Sequence, residues 1–147
     1  MRPVIPALQP IYAALAEPVY ALFRVVAGGF LIPHGMWKLF GITGDQAAMV
    51  QFFASIGLQP AMLLAIAVGL VEFIGGTLIT IGLLTRPAAL AATITTGTAA
   101  VYFHLPNGFY VDNGGTEFAS LWAVALLYIA IRGGGMISLD RAIGREI

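Results

Sequence analysis

Apolar residues in this chain run together in long blocks rather than recurring at fixed intervals. Four stretches, 18–40, 60–84, 87–104 and 117–132, are almost continuously apolar, and each approaches the roughly 20 residues that carry a helix across a bilayer. The last is short for a span, so its ends must lean on neighbours or on interfacial side chains. Two further stretches are amphipathic. In "DQAAMVQFFASIG", Met49, Phe52, Phe53 and Ile56 fall at helical spacing between Asp45 as N-cap and Gly57, which predicts a surface helix over 45–56. In "SLDRAIGREI", Leu139, Ile143 and Ile147 oppose Arg141 and Arg145 behind Ser138, which predicts a second interfacial helix over 138–147. The pattern reads as an all-α membrane protein, a single domain over 1–147 built as a four-transmembrane-helix bundle with short interfacial helices.

Composition sharpens this picture. With 59% apolar and 10% charged residues and a mean hydropathy of +0.91, the chain lies well outside the range of soluble domains. Pro3, Pro6 and Pro10 interrupt the start and no cleavage pattern follows, so the N-terminus reads as retained rather than as a secretory signal. There is no cysteine, which excludes disulfides, thiolate-held clusters and dithiol relays within the chain. Net charge is zero without a basic cluster, so nucleic acid is excluded as a partner. Arg2, Arg86, Arg132, Arg141 and Arg145 fall at the N-terminus, the second connection and the tail, which four spans would place on one side. That arginine excess marks the side as cytoplasmic, with both termini inside a bacterial inner membrane.

The few charges inside the apolar blocks are the candidate chemistry. In "RVVAGGFLIPHGMWK", Arg24, His34 and Lys38 share an arc of about 80° on an ideal helix. Gly28 and Gly35 lie near that face, and Pro33 predicts a kink because its ring strikes the carbonyl of Gly29. Glu72 lies on a stripe with Ala65, Gly69 and Gly76, and His104 on one with Thr93, Gly97 and Ala100. Glu117 opens the fourth block with Ser120 on its side. A central Arg, Lys or Asp exposed to lipid costs about 2.5–3.5 kcal/mol, so these groups must face the bundle. Counting helical rise from the outer edge puts Arg24 about 24 Å down, Glu72 about 18 Å and His34 about 9 Å. The expectation is a cavity open to the outside, rimmed by Lys38, His104 and Glu117, lined by His34 and floored by an Arg24 and Glu72 pair.

Each residue also has a plainer reading. Arg24 with Glu72 can be a structural ion pair, and Lys38 can snorkel to headgroups beside Trp37. Glu117 can be a carboxylate at a helix N-terminus behind the cap Thr116, and His104 a wetted boundary residue. His34 can be satisfied by a neighbouring helix, or can donate to a ligand and pass protons. Two histidines on different helices also raise haem ligation, but their depths differ and no other haem feature accompanies them. No metal site is expected.

The blocks "RVVAGGFLIPHGMWKLFG", "VEFIGGTLITIGLLTRPAA" and "GTEFASLWAVALLYIAIRGGGMISLDR", in that order, resemble the DoxX family of small four-helix bacterial membrane proteins. The resemblance runs from Arg24 to Arg141 and carries over Arg24, Gly28, Gly35, Lys38, Glu72, Gly76, Gly82, Arg86, Glu117, Gly135, Ser138 and Asp140. It implies a membrane subunit or accessory of a quinone-linked redox system, the family name coming from subunits associated with thiosulfate:quinone oxidoreductases. In that reading His34, Lys38 and His104 donate to quinone oxygens, the two histidines on the helical-face argument alone and not on the resemblance, Glu72 or Glu117 relays protons, and a soluble or membrane redox partner supplies electrons. The alternatives are a non-catalytic binder or carrier of a small lipophilic or anionic molecule, and a scaffold that recruits soluble partners through the arginine-bearing tail.

Overall fold

The structure, a computed structural model, describes residues 4–145. Arg2, part of the charge-bias argument, and Ile147, at the end of the second interfacial helix, lie outside the described residues. The described residues are all helix, turn and loop, without a strand. The principal helices are α1 (Gln9–Gly29), α2 (Leu31–Phe40), α3 (Gln46–Ser55), α4 (Ala61–Leu70), α5 (Gly76–Ile81), α6 (Thr85–Ala99), α7 (Glu117–Arg132) and α8 (Leu139–Ala142). Five-residue π turns join α4 to α5 at Val71–Gly75 and extend α6 at Ala100–His104.

Three continuous helical runs are long and apolar enough to cross a membrane: Pro6–Phe40, Ala61–Ile81 and Thr85–Asn107. The first begins twelve residues earlier than the apolar block at 18–40 suggested. Pro6 and Pro10 sit in first turns, where no N–H is needed, and Pro18 lies inside α1 without ending it. α1 and α2 are separated by a single turn residue, Phe30, three residues before Pro33, and Phe30 keeps near-helical φ −71 and ψ −20. There the indole of Trp122 donates to the Ala27 carbonyl at 3.1 Å.

The runs pack antiparallel through small residues. At Gly28 a Cβ would lie 2.8 Å from the Gly76 carbonyl oxygen, and at Gly35 it would lie 2.7 Å from the Gly69 carbonyl oxygen. These contacts fix α1 and α2 against α5 and α4 in one register. The core is correspondingly alanine-rich: Ala88, Ala89 and Ala92 pack with Tyr20, Leu31, Ile79, Leu126 and Ile129. Large apolar side chains point outward instead, among them Leu22, Ile94, Leu121 and Ile131, as lipid-facing residues must when bilayer and interior are equally apolar. α7, with Glu117–Arg132 as the sequence predicts, runs back along α6: Thr116 bonds Ala100 at one end and Leu126 and Ile129 pack on the alanines toward the other.

α3 matches its expected bounds, and the Asp45 carboxylate accepts from the Ala47 and Ala48 amides at 2.8 and 3.3 Å. Met49, Val50 and Phe53 pack on Ala61 and Ala65, and Phe52 and Phe53 meet Phe103. The second interfacial helix is much shorter than 138–147. Among the described residues of this stretch only Leu139–Ala142 is helical, with the Ser138 hydroxyl accepting from the Arg141 amide. Its amphipathic continuation fails because Asp140 is drawn inside to 4% exposure and Gly144 leaves the helix at φ +67.

Gly28→Ala is expected to lower the thermal unfolding midpoint in detergent, at a cost of about 1–3 kcal/mol from overpacking against Gly76 and Ile79. A midpoint equal to that of the unaltered protein would show that this contact does not set the register.

Candidate functional site

The charged residues of the apolar blocks separate into two groups at opposite ends of the bundle. At one end the Lys38 ammonium meets a Glu72 carboxylate oxygen at 2.7 Å, with side chains 8% and 14% exposed. Lys38 also donates to the His34 carbonyl at 3.4 Å. Glu72 lies in the π turn, whose extra residue widens the helix where α2 crosses it. Close approach of the backbones at Gly35 and Gly69 brings the two side chains together. The first turn of α3 covers this end: the Gln46 side-chain amide donates to the Lys38 and Leu39 carbonyls at 2.7 and 3.0 Å, and the Trp37 indole to the Asp45 carbonyl at 2.9 Å.

Arg24 does not pair with Glu72, contrary to the expected cavity floor. The antiparallel register sets Arg24 level with the end of α5. There its guanidinium donates to the carbonyls of Ile79, of Thr80 at 2.8 Å and of Ile137 at 2.7 Å. The helix-depth count failed because it placed each block separately against the membrane edge, whereas glycine contacts decide which residues stand side by side. Arg24 is 2% exposed; at the C-terminal turn of α5 it takes the Thr80 carbonyl and shares that of Ile79 with the Gly82 amide. Gly82 turns the chain there at φ +73, and a Cβ on it would lie 2.8 Å from the guanidinium.

The opposite sign appears one turn on. Leu84 and Thr85 begin α6 without a side-chain cap of their own. Asp140 supplies it from 55 residues away, accepting from the Leu84 amide at 2.8 Å, the Thr85 amide at 3.0 Å and the Thr85 hydroxyl at 2.7 Å. The reading of the residues alone missed this cap, and the only sign of it was the membership of Asp140 in the third family-like block. Around the same end Glu17 accepts from Arg132 at 2.7 Å and from the Met136 amide at 3.0 Å, Arg132 stacks 3.8 Å over the Tyr20 ring, and the Tyr20 hydroxyl donates to the Gly133 carbonyl.

The remaining candidates do not join the Lys38 and Glu72 pair. His34 is exposed on the flank of α2 and meets the Trp122 ring edge-on at 5.6 Å, beside Phe30 and Phe118. The turn residue Phe30 lies between Arg24 and His34, so the ideal helical count does not carry across it. His104 and Glu117 organise the 105–116 connection: the His104 Nδ1 lies 2.8 Å from the Gly114 carbonyl oxygen, and Glu117 accepts from the Val111 amide at 3.1 Å. Thr116 caps nothing with its side chain. Its hydroxyl donates at 2.9 Å to the carbonyl of Ala100, where the π turn begins. Two cavities also lie away from the expected funnel. One of about 270 Å³ lies among residues 135–145, and an apolar groove of about 300 Å³ lies between α4 and α6, beside the Val71–Gly75 turn.

Glu72→Ala strands the Lys38 charge and is expected to cost about 3–5 kcal/mol of stability, whereas Lys38→Met combined with Glu72→Met recovers most of the loss. Thermal unfolding of the single and double variants in one detergent measures it. A double variant no more stable than either single one would mean that the two charges are not coupled.

The chain is similar to several bacterial proteins. A family model described as DoxX matches residues 19–105. "Inner membrane protein YphA" of Escherichia coli is 36% identical over 133 residues, 86% of this chain and 91% of that protein. "Putative oxidoreductase CatD" of Bacillus subtilis is 34% identical over 119 residues, 81% and 82% of the two chains. A Haemophilus influenzae protein called uncharacterized is 30% identical over 127 residues. No solved structure is a significant match. With a family model covering more than half of the chain and relatives aligned over most of their length, this protein belongs to the DoxX family of membrane proteins.

Proposed function

We propose that the protein is a quinone-linked membrane component of a redox system in the bacterial inner membrane, with α7 as a fourth span and both termini in the cytoplasm. The observation that carries the reading is the Lys38 and Glu72 ion pair, two titratable groups kept together among apolar helices at a π turn. An ion pair contributes little net stability at such depth, since desolvation offsets most of the attraction. Chemistry gives a better reason to keep it there. The name of the CatD relative as a putative oxidoreductase and that of YphA as an inner membrane protein agree with this reading.

A quinone takes up two electrons and two protons at its carbonyl oxygens. The side chains present suit that ligand: the Lys38 ammonium is a donor to a carbonyl oxygen, and Glu72 is a carboxylate able to hold and return a proton. His34, exposed on the flank of α2 against the rings of Trp122, Phe30 and Phe118, offers a second donor beside an aromatic wall suited to a flat ring. The apolar groove beside the π turn, lined by Leu70, Val71, Ile74, Leu78, Pro87 and Ala91, suits an isoprenoid tail. Electrons come from a partner, because the chain has no cysteine for a cluster and no dinucleotide-binding glycine motif. That same groove favours a second reading, non-catalytic binding of another lipophilic molecule.

Purified protein is expected to bind a ubiquinone or menaquinone analogue, and His34→Ala or Glu72→Gln to weaken it by roughly tenfold, the loss of one charge-assisted hydrogen bond. Equal affinity in both variants removes these residues from the site, and native mass spectrometry showing a different retained lipid selects the second reading. Because the chain has no cysteine, Asp112→Cys and Arg145→Cys report the topology. An impermeant thiol reagent applied to intact spheroplasts is expected to label the first and spare the second, and labelling of both would deny the fourth span.

A further inference from the structure

The Arg24 end of the bundle carries a feature that the redox reading leaves unused. Arg24, Arg86, Arg132, Arg141 and Arg145 gather there, and among the described residues the carboxylates beside them are Glu17 and Asp140. Both carboxylates are already engaged, Glu17 by Arg132 and the Met136 amide and Asp140 by the start of α6. Arg24 is spent on backbone carbonyls and Arg132 on Glu17 and Tyr20. Arg141 and Arg145 are exposed, and among the described residues no carboxylate pairs with either guanidinium. Both line the cavity of about 270 Å³, with Gly135, Met136, Ser138 and Asp140 as further walls. Its size is close to the lower end of small-molecule sites, about 300 Å³.

The surroundings of this cavity are apolar. Met136, Ile137, Leu139 and Ile143 are 58%, 54%, 43% and 59% exposed on the same short segment. A segment facing only water would not present four large apolar side chains beside two exposed arginines, whereas the boundary between headgroups and acyl chains suits both. The segment is also held in place, by the Asp140 bonds to α6, the Arg24 bond to Ile137 and the Asp140 amide bond to the Gly82 carbonyl at 2.8 Å.

We propose that this cavity binds the phosphate headgroup of an anionic phospholipid, with Arg141 and Arg145 on the phosphate and Ile137, Leu139 and Ile143 against its acyl chains. A zwitterionic lipid brings a choline cation towards Arg141 and Arg145 and is disfavoured. The site is independent of the Lys38 and Glu72 pair at the other end, so it stands or falls separately from the quinone reading.

The test uses delipidated full-length protein in detergent, with dioleoyl phosphatidylglycerol or dioleoyl phosphatidylcholine added at equal concentration and bound lipid counted by native mass spectrometry. Phosphatidylglycerol is expected to be retained in preference. Arg141→Gln with Arg145→Gln is expected to weaken its binding about twentyfold, and Arg141→Lys with Arg145→Lys to keep most of it. Equal retention of both lipids overturns the proposal, as does undiminished phosphatidylglycerol binding in the double glutamine variant. Displacement of the lipid by millimolar inorganic phosphate overturns it as well, assigning the cavity to a soluble anion. If the glutamine variant does not fold, the lipid preference and the phosphate competition of the unaltered protein decide.

Discussion

The backbone contact between the first helical run and the second governs most of what this molecule can do. Where Gly28 meets Gly76 and Gly35 meets Gly69, the helices approach more closely than any side chain at those positions would allow. In a bilayer there is no hydrophobic gain in bringing two helices together, so close packing and polar contacts must do it. A register fixed in this way dictates partners. It stands Arg24 beside the end of α5 and Lys38 beside the π turn, and it gives Glu72 to Lys38 rather than to Arg24.

The two ends of the bundle then use charge differently. At the Arg24 end, each buried charge completes a helix terminus: a guanidinium takes the last carbonyls of α5, and the Asp140 carboxylate takes the first amides of α6. The signs match the helix dipoles, and the turn at Gly82 lies between them. Such groups are tied to backbone on both sides of the turn, which suits a structural clasp holding the tail segment on the bundle. At the Lys38 end, a single ammonium and a single carboxylate face each other beside a widened turn. There the two charges meet each other, with one backbone carbonyl, that of His34, as a further partner of Lys38.

The π turns mark both places where sequence reasoning set a candidate on a third or second helix. Each contains one, Glu72 or His104. Their outcomes differ. The first directs Glu72 inward to an ion pair, while the second ends near the loop, where His104 contacts the Gly114 carbonyl and Thr116 takes the carbonyl of Ala100. An extra residue in a helical turn re-aims a side chain, but the neighbouring element decides what it meets.

Local pattern was enough to read three long apolar helical runs, the α3 and α7 helices, the Asp45 cap and the inward stripe of Ala65, Gly69, Glu72 and Gly76, because these depend on local spacing and on the cost of charge in lipid. The early start of α1 was hidden because proline is tolerated in a first turn. The partners of Arg24, Lys38 and His34 and the remote cap from Asp140 were decided only in three dimensions. A face on one helix restricts where a side chain can point, but the relative height of two antiparallel helices comes from glycine-to-backbone contacts between residues tens of positions apart, and no single block contains that information.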